Sequence, residues 1–255
     1  MASVVARLLL LMAVGCGTCR VAAAQASRSF SGDWNEHKAE AIALQIAGSW
    51  PAKARQNSEG ISEKPRHNEV YAFLPFDEIG VQRWLVLVSQ SPPENNCHAC
   101  SPVTGGIIFT RKGDVFEADY DQPEIVSLGG WGKPPQARLQ ALGVGKPAVV
   151  FEVDGMGQDY AGKALTFVAE VDGKLKRVLS LQVAGSNESA ALPEEQTFQW
   201  DSLLDFDPRA DGGYADIRVK SSGTKEVEEA GTERVEPYSS TVTYRFQDGD
   251  YKALK

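Results

Sequence analysis

The feature that most constrains this chain is a long succession of short β-branched and aromatic segments that begins at Val70 and runs almost to the C-terminus. "VYAFLPF", "RWLVLVSQ", "GGIIFTRKG", "PAVVFEVDG", "KALTFVAEVDG", "LKRVLSLQVAG" and "STVTYRFQDG" are each bounded by Gly, Asp, Asn or Pro, the pattern of strands closed by turns. Three junctions share one design: "TRKGDVF", "EVDGKLK" and "FQDGDYK" put Lys-Gly or Asp-Gly between two strand-like runs. A type I′ hairpin turn needs a left-handed backbone there, which glycine adopts at least cost. The three glycines, Gly113, Gly173 and Gly249, lie 60 and 76 residues apart, so no regular repeat underlies them. The expectation is antiparallel hairpins of ordinary sheet.

Two stretches depart from that texture. "FSGDWNEHKAEAIALQIAGSW" predicts a helix, with Asp33 as N-cap, a face of Ala39, Ile42, Ala43, Ile46 and Ala47, and an end at Gly48 before Pro51. "GGWGKPPQARLQALG" predicts a second, short helix starting near Pro134 or Pro135. The polar "PAKARQNSEGISEKPRHNE" reads as an exposed connection, and "AGSNESAALPEEQ" marks a candidate boundary between two lobes near 185–195. The fold class is therefore α+β: mainly antiparallel β with an N-terminal helix and a second short helix, in one β-rich unit over 27–255.

The N-terminus reads as an export signal. Arg7 precedes the apolar run "LLLLMAVG", which suits a signal h-region and is far shorter than the ~20 residues of a membrane span. Small residues follow, with cleavage sites after Ala24 or Ala26. Cleavage there removes Cys16 and Cys19 and leaves two cysteines, an even number suited to an oxidising compartment. The rival, a lipid anchor at Cys16, would strand Cys19 as an odd thiol. The expected location is periplasmic or secreted, with no membrane span. Loss of 1–26 also removes Arg7 and Arg20, taking the formal charge from −8 to −10. So acidic a chain is a poor partner for nucleic acid or an anionic membrane surface.

Chemistry concentrates in "PPENNCHACSPVTGG", where Cys97 and Cys100 flank His98. Three readings stand side by side. A structural disulfide between Cys97 and Cys100 needs only a loop that turns back, and Pro93, Asn95, Asn96 and Pro102 provide that context. A thiol-disulfide redox centre needs a helix N-terminus beside the first cysteine, and "SPVTGGIIF" does not look helical. A zinc or copper(I) site would use Cys97, His98 and Cys100, with a fourth ligand from His37, His67 or a carboxylate.

Asp205, Asp207, Asp211 and Asp216, in "DFDPRADGGYADI", supply hard oxygen ligands around a Gly-Gly turn, the chemistry that calcium takes. The stretch resembles the D-x-D-x-D-G-x-x-D loops of FG-GAP-type repeats, with Pro208, Arg209 and Ala210 lengthening the usual spacing. That resemblance implies a calcium-dependent interaction; a polar turn leading into a strand explains the same residues. "VDGMGQDYAG" is glycine-rich without a phosphate-binding Gly-Lys-Ser/Thr, and reads as a loop exposing Asp154, Gln158 and Tyr160 beside a cleft. Trp34, Trp50, Trp84, Trp131 and Trp200 suit either a ligand groove or the core. No G-x-S-x-G or H-E-x-x-H signature is present. Taken together, these readings favour a non-catalytic exported module that binds a protein or small ligand and carries a structural disulfide.

Overall fold

The fold is described from a computed structural model, which covers residues 27–51, 56–57, 60–61, 67–91, 100–157, 160–190, 192–229 and 232–254. The described residues are mostly antiparallel β with one α-helix, in two main sheets and a minor strand pair. The chain opens with β1 (Ser29–Ser31) and α1 (Glu36–Gly48). A minor pair follows, β2 (Gln56–Asn57) with β3 (Gly60–Ile61). Next come β4 (His67–Glu78), β5 (Val81–Ser91), β6 (Val103–Lys112) and β7 (Val115–Ser127). These strands and β1 make the first sheet, in the order β1-β7-β6-β5-β4.

Helix α1 forms where the alanine and isoleucine spacing predicts it, and buries Ala39, Ala43, Ile46 and Ala47. Its N-cap is Asn35 rather than the expected Asp33. The Asn35 carboxamide oxygen accepts the Lys38 N–H at 3.0 Å, satisfying one of the orphan donors of the first turn. The helix covers the outer face of the first sheet through Val86, Val88, Ile107, Phe109 and Phe116. Trp34 and Trp84 stack there with ring centroids 4.1 Å apart.

The second sheet is an unbroken meander: β8 (Gln136–Ala141), β9 (Pro147–Gly157), β10 (Tyr160–Val171), β11 (Lys174–Ser186), β12 (Gln199–Asp207), β13 (Asp216–Glu229), β14 (Thr232–Gln247) and β15 (Asp250–Ala253). Two short 3-10 turns, Glu188–Ala190 and Glu194–Gln196, lie between β11 and β12. Alternation of side chains gives β9 to β11 two buried faces. Val149, Phe151, Val168 and Leu175 meet Leu85, Leu87, Ile108 and Val126 of the first sheet. On the opposite face Val150, Leu165, Phe167 and Val178 meet Ile217, Val219 and Tyr251. The sheet therefore folds back over itself. The bend falls where β11 and β12 share only a short ladder, Ala184↔Asp201 to Ser186↔Gln199.

One expectation changes here. The second short helix does not form: Gln136–Ala141 is β8, antiparallel to β9 from Gln136↔Glu152 to Ala141↔Pro147. Its residues are good helix formers, but a strand supplies backbone partners to the edge of β9. It also turns Ala137 and Leu139 toward the core between the sheets, so tertiary context overrides local propensity. The described residues between Ser186 and Gln199 connect β11 and β12 of the second sheet, and the chain passes from the first sheet to the second between Ser127 and Gln136.

Hairpin chemistry follows the turn residues. Asp172-Gly173 and Asp248-Gly249 have positive φ at both positions, 53° and 71°, then 53° and 84°, as type I′ turns require. At the Gly113-Asp114 turn only glycine has a positive φ, 64°. Two further left-handed turns use unexpected residues: Ile79-Gly80, and Trp131-Gly132, each with φ 53° at the large side chain.

Candidate functional site

A β-branched or bulky side chain at positive φ is a true outlier, because its Cβ crowds the neighbouring carbonyl. Trp131 is such an outlier, and 54% of it is exposed, whereas Trp50 and Trp200 are buried and Trp34 and Trp84 pack in or against the helix-covered core. Its turn is closed by the bridge Gly130↔Lys133, with the Lys133 N–H donating to the Gly130 carbonyl at 2.9 Å. Gly129 precedes it at φ +100°, and a Cβ there would lie 2.1 Å from the Lys133 carbonyl oxygen. Glycine is therefore required at this position by both conformation and space.

The turn is clamped from outside. The Gly132 N–H donates to the Cys100 carbonyl at 2.7 Å, and the Gly132 carbonyl accepts from the Ser91 hydroxyl at 2.9 Å. The Ser101 hydroxyl donates to the Gly129 carbonyl at 2.6 Å. Ser91 ends β5, and Cys100 and Ser101 lead into β6, so both stems of the cysteine-bearing connection grip the Trp131 turn. Such outside contacts are what hold a strained backbone in place.

Against this turn lies an open groove of about 430 Å³, lined by Gly129 to Trp131, Lys133 to Gln136, and Glu152 to Gly155 of β9. Its shape follows from the ladder. β8 stops pairing at Gln136↔Glu152 while β9 runs on to Gly157, so the outer edge of β9 beyond Glu152 faces the groove. Glu152 and Asp154 share one face of β9. The Lys163 ammonium lies 2.5 Å from Glu152 Oε1 and 3.7 Å from Asp154 Oδ1. The hydrogen bond to Glu152, and then the charge of both acids, raises the Lys163 pKa above its ordinary value.

A second cavity, of about 170 Å³, sits between the sheets at the other end of β9, where Phe76, Leu85, Ile108, Leu139 and Val149 form an apolar floor. Glu78 and Glu170 also line it, with Arg83 ion-paired to Glu78 and 3.9 Å from Glu170, while Lys146 lies over the Tyr214 ring at 5.2 Å. Small-molecule sites enclose roughly 300–1,000 Å³, a range that admits the Trp131 groove and not this cavity.

The residues singled out from sequence fall into three groups. Cys16, Ala24, Ala26, Cys97 and His98 lie outside the described residues, as does Gln158. Cys100 is described, and its backbone carbonyl accepts the Gly132 N–H. Among the described residues, those after it enter strand β6 at Val103 without forming a helix, whereas a thioredoxin-like centre sets its first cysteine at a helix N-terminus. The four aspartates are each held by a base: Asp205 by Lys220 at 2.7 Å, Asp207 by Arg218 at 2.6 Å, Asp211 by Arg209 at 2.5 Å and Asp216 by Arg245 at 2.6 Å. Among the described residues no group of three or more His, Cys, Asp or Glu side chains converges to hold a metal. Calcium would have to displace these bases. The hydrogen bond from Arg245 holds the Asp216 carboxyl below the usual carboxylate range, and those from Lys220 and Arg209 do the same for Asp205 and Asp211.

Asp154 does line a groove, as expected, but from a strand: Val153 to Gly157 belongs to β9 and Tyr160 opens β10. Sequence reasoning did not single out Trp131. The available signal was the dipeptide Trp-Gly in "GGWGKPP", a turn pattern carrying a residue that no turn favours. Among the described residues no helix is long and apolar enough to cross a membrane. Searches of protein families, curated proteins and solved structures found no match to this chain.

Proposed function

We propose that this chain is a non-catalytic exported binding protein that presents the Trp131 groove to its ligand, with Cys97 and Cys100 joined as a structural disulfide. The observation that carries the reading is the Trp131 turn: a large aromatic ring, strained, exposed, and gripped at both backbone groups of the next residue. At this left-handed φ an asparagine would be less strained than tryptophan, so the tryptophan is kept at a conformational cost. Exposed aromatic rings on rigid supports are a common means of ligand capture, since stacking costs little side-chain entropy.

The sulfur chemistry fits the same role. A Cys97–Cys100 ring would tighten the connection whose stems, Ser91 and Cys100, hold Gly132. Export rests on the signal-like segment over 1–26. Thiol titration tests the disulfide: the native protein should show no reactive thiol, and denatured, reduced protein should show two in the processed chain. Two fast-reacting thiols in the native protein would favour redox chemistry instead. The binding role is tested by labelling the five tryptophans with 5-fluorotryptophan and following each ¹⁹F line against a panel of soluble saccharides and peptides. At least one compound should shift the Trp131 line saturably while the Trp34 and Trp84 lines stay fixed. A panel that leaves the Trp131 line unmoved defeats the proposal.

A further inference from the structure

Resting on that reading, we infer that the groove takes a neutral, polyhydroxylated ligand, a saccharide unit laid on the Trp131 ring with its hydroxyls toward Glu152 and Asp154. Three features of the groove select this class. The first is the ring. An exposed indole accepts the apolar C–H face of a pyranose, a proline or a cation, so by itself it leaves three kinds of ligand.

The second is hydrogen-bond polarity. Glu152 and Asp154, which line the same groove, offer carboxylate oxygens, which accept and do not donate. A proline-rich strand has carbonyl acceptors and no backbone donors to give them, whereas sugar hydroxyls donate. Gln136, pairing opposite Glu152, adds an amide that both donates and accepts. The third is charge. Lys133 lines the groove and Lys163 binds both acids, so two bases offset two acids. A cation over Trp131 would meet Lys133, and an anion would meet Asp154, so neither gains a field. A neutral ligand loses nothing on either count. The groove is also open beyond Glu152, where β9 has no β8 partner, which leaves room for a chain to continue on either side of the stacked unit.

The test uses the full-length processed protein, labelled as above, with cellohexaose, chitohexaose and maltohexaose as neutral probes. Hexagalacturonate and chitosan hexamer serve as anionic and cationic counterparts, and decaproline as the peptide rival. At least one neutral hexasaccharide should shift the Trp131 line saturably and bind roughly tenfold or more tightly than the charged ones. Trp131→Ala should abolish that binding. Gly155→Leu should weaken it roughly tenfold or more while keeping the fold, because a Cβ at Gly155 would meet only the Gly162 carbonyl oxygen at 3.8 Å. Equal binding of the charged hexamers, binding that survives Gly155→Leu, or a Trp131 response to decaproline alone would overturn the saccharide assignment and leave a binding role standing. If no probe of either kind moves the Trp131 line, both readings fail together.

Discussion

The two large apolar side chains at left-handed turns, Ile79 and Trp131, lie near opposite ends of β9 and differ in what holds them. Both have φ 53°, where the turns at Asp172 and Asp248 carry a short polar residue. The Ile79 turn is secured locally: the Asp77 carboxylate accepts the Gly80 N–H at 2.7 Å. Ile79 is 87% exposed, Val144 stands 90% exposed on the loop between β8 and β9, and the adjoining cavity is small. The Trp131 turn is instead gripped by Ser91 and Cys100 from a distant connection and borders a groove wide enough for a ligand. Strain alone therefore does not mark a site. What distinguishes Trp131 is that independent parts of the chain converge to keep the strained ring in place.

The sharpest way to break that comparison is to place alanine at the glycines supporting each turn. Gly129→Ala drives a Cβ into the Lys133 carbonyl and should cost about 3 kcal/mol or more in urea denaturation, with loss of the groove. Gly80→Ala has open space around it and should cost only about 1–2 kcal/mol for its left-handed backbone. Equal costs would mean that the Trp131 turn is no more tightly determined than its counterpart. Next in size is the sulfur staple. Replacing Cys97 and Cys100 together by serine should lower stability by on the order of 2 kcal/mol and weaken ligand response at Trp131, while leaving the amide exchange of Gly80 unchanged.

Asparagine substitutions then sharpen the difference. Trp131→Asn and Ile79→Asn should each raise stability by about 1 kcal/mol, or roughly 2–4 °C in Tm, by relieving the left-handed strain. Only the first should remove ligand binding. If Ile79→Asn removes it as well, the apolar end belongs to the same recognition surface. The smallest effect is a control far from both turns. Asp205, Asp211 and Asp216 have depressed folded-state pKa values, so the stability they contribute is present above the unfolded value near ~3.9 and is lost as pH falls below it. Tm measured down to pH ~3 should decline, and Asp216→Asn should flatten part of that decline without altering the Trp131 response at neutral pH.

Much of the fold was legible because its signals are local. Helix α1 is written in the spacing from Ala39 to Ala47, and the strands in alternation bounded by turn residues. Asp172-Gly173 and Asp248-Gly249 form the turns that their dipeptides specify. β8 was misread for the same reason: Gln136 to Ala141 are helix formers taken alone, and what makes them a strand is the unpaired edge of β9. The aspartate loop is polar in sequence, but nothing local shows that Lys220, Arg218 and Arg245 reach its carboxylates from strands β13 and β14.

By itself, then, the sequence determined a β-rich chain with one N-terminal helix and an acidic surface, since periodicity, turn chemistry and charge are properties of neighbouring residues. Only the tertiary structure decided which of five tryptophans faces solvent on a support. The bond from Ser91 to Gly132 spans 41 positions and that from Ser101 to Gly129 spans 28, separations over which no local pattern carries information. Folding brings those stems beneath Trp131 because β5 and β6 pair along their length, and the hydrophobic core that drives the pairing lies elsewhere in the sheet.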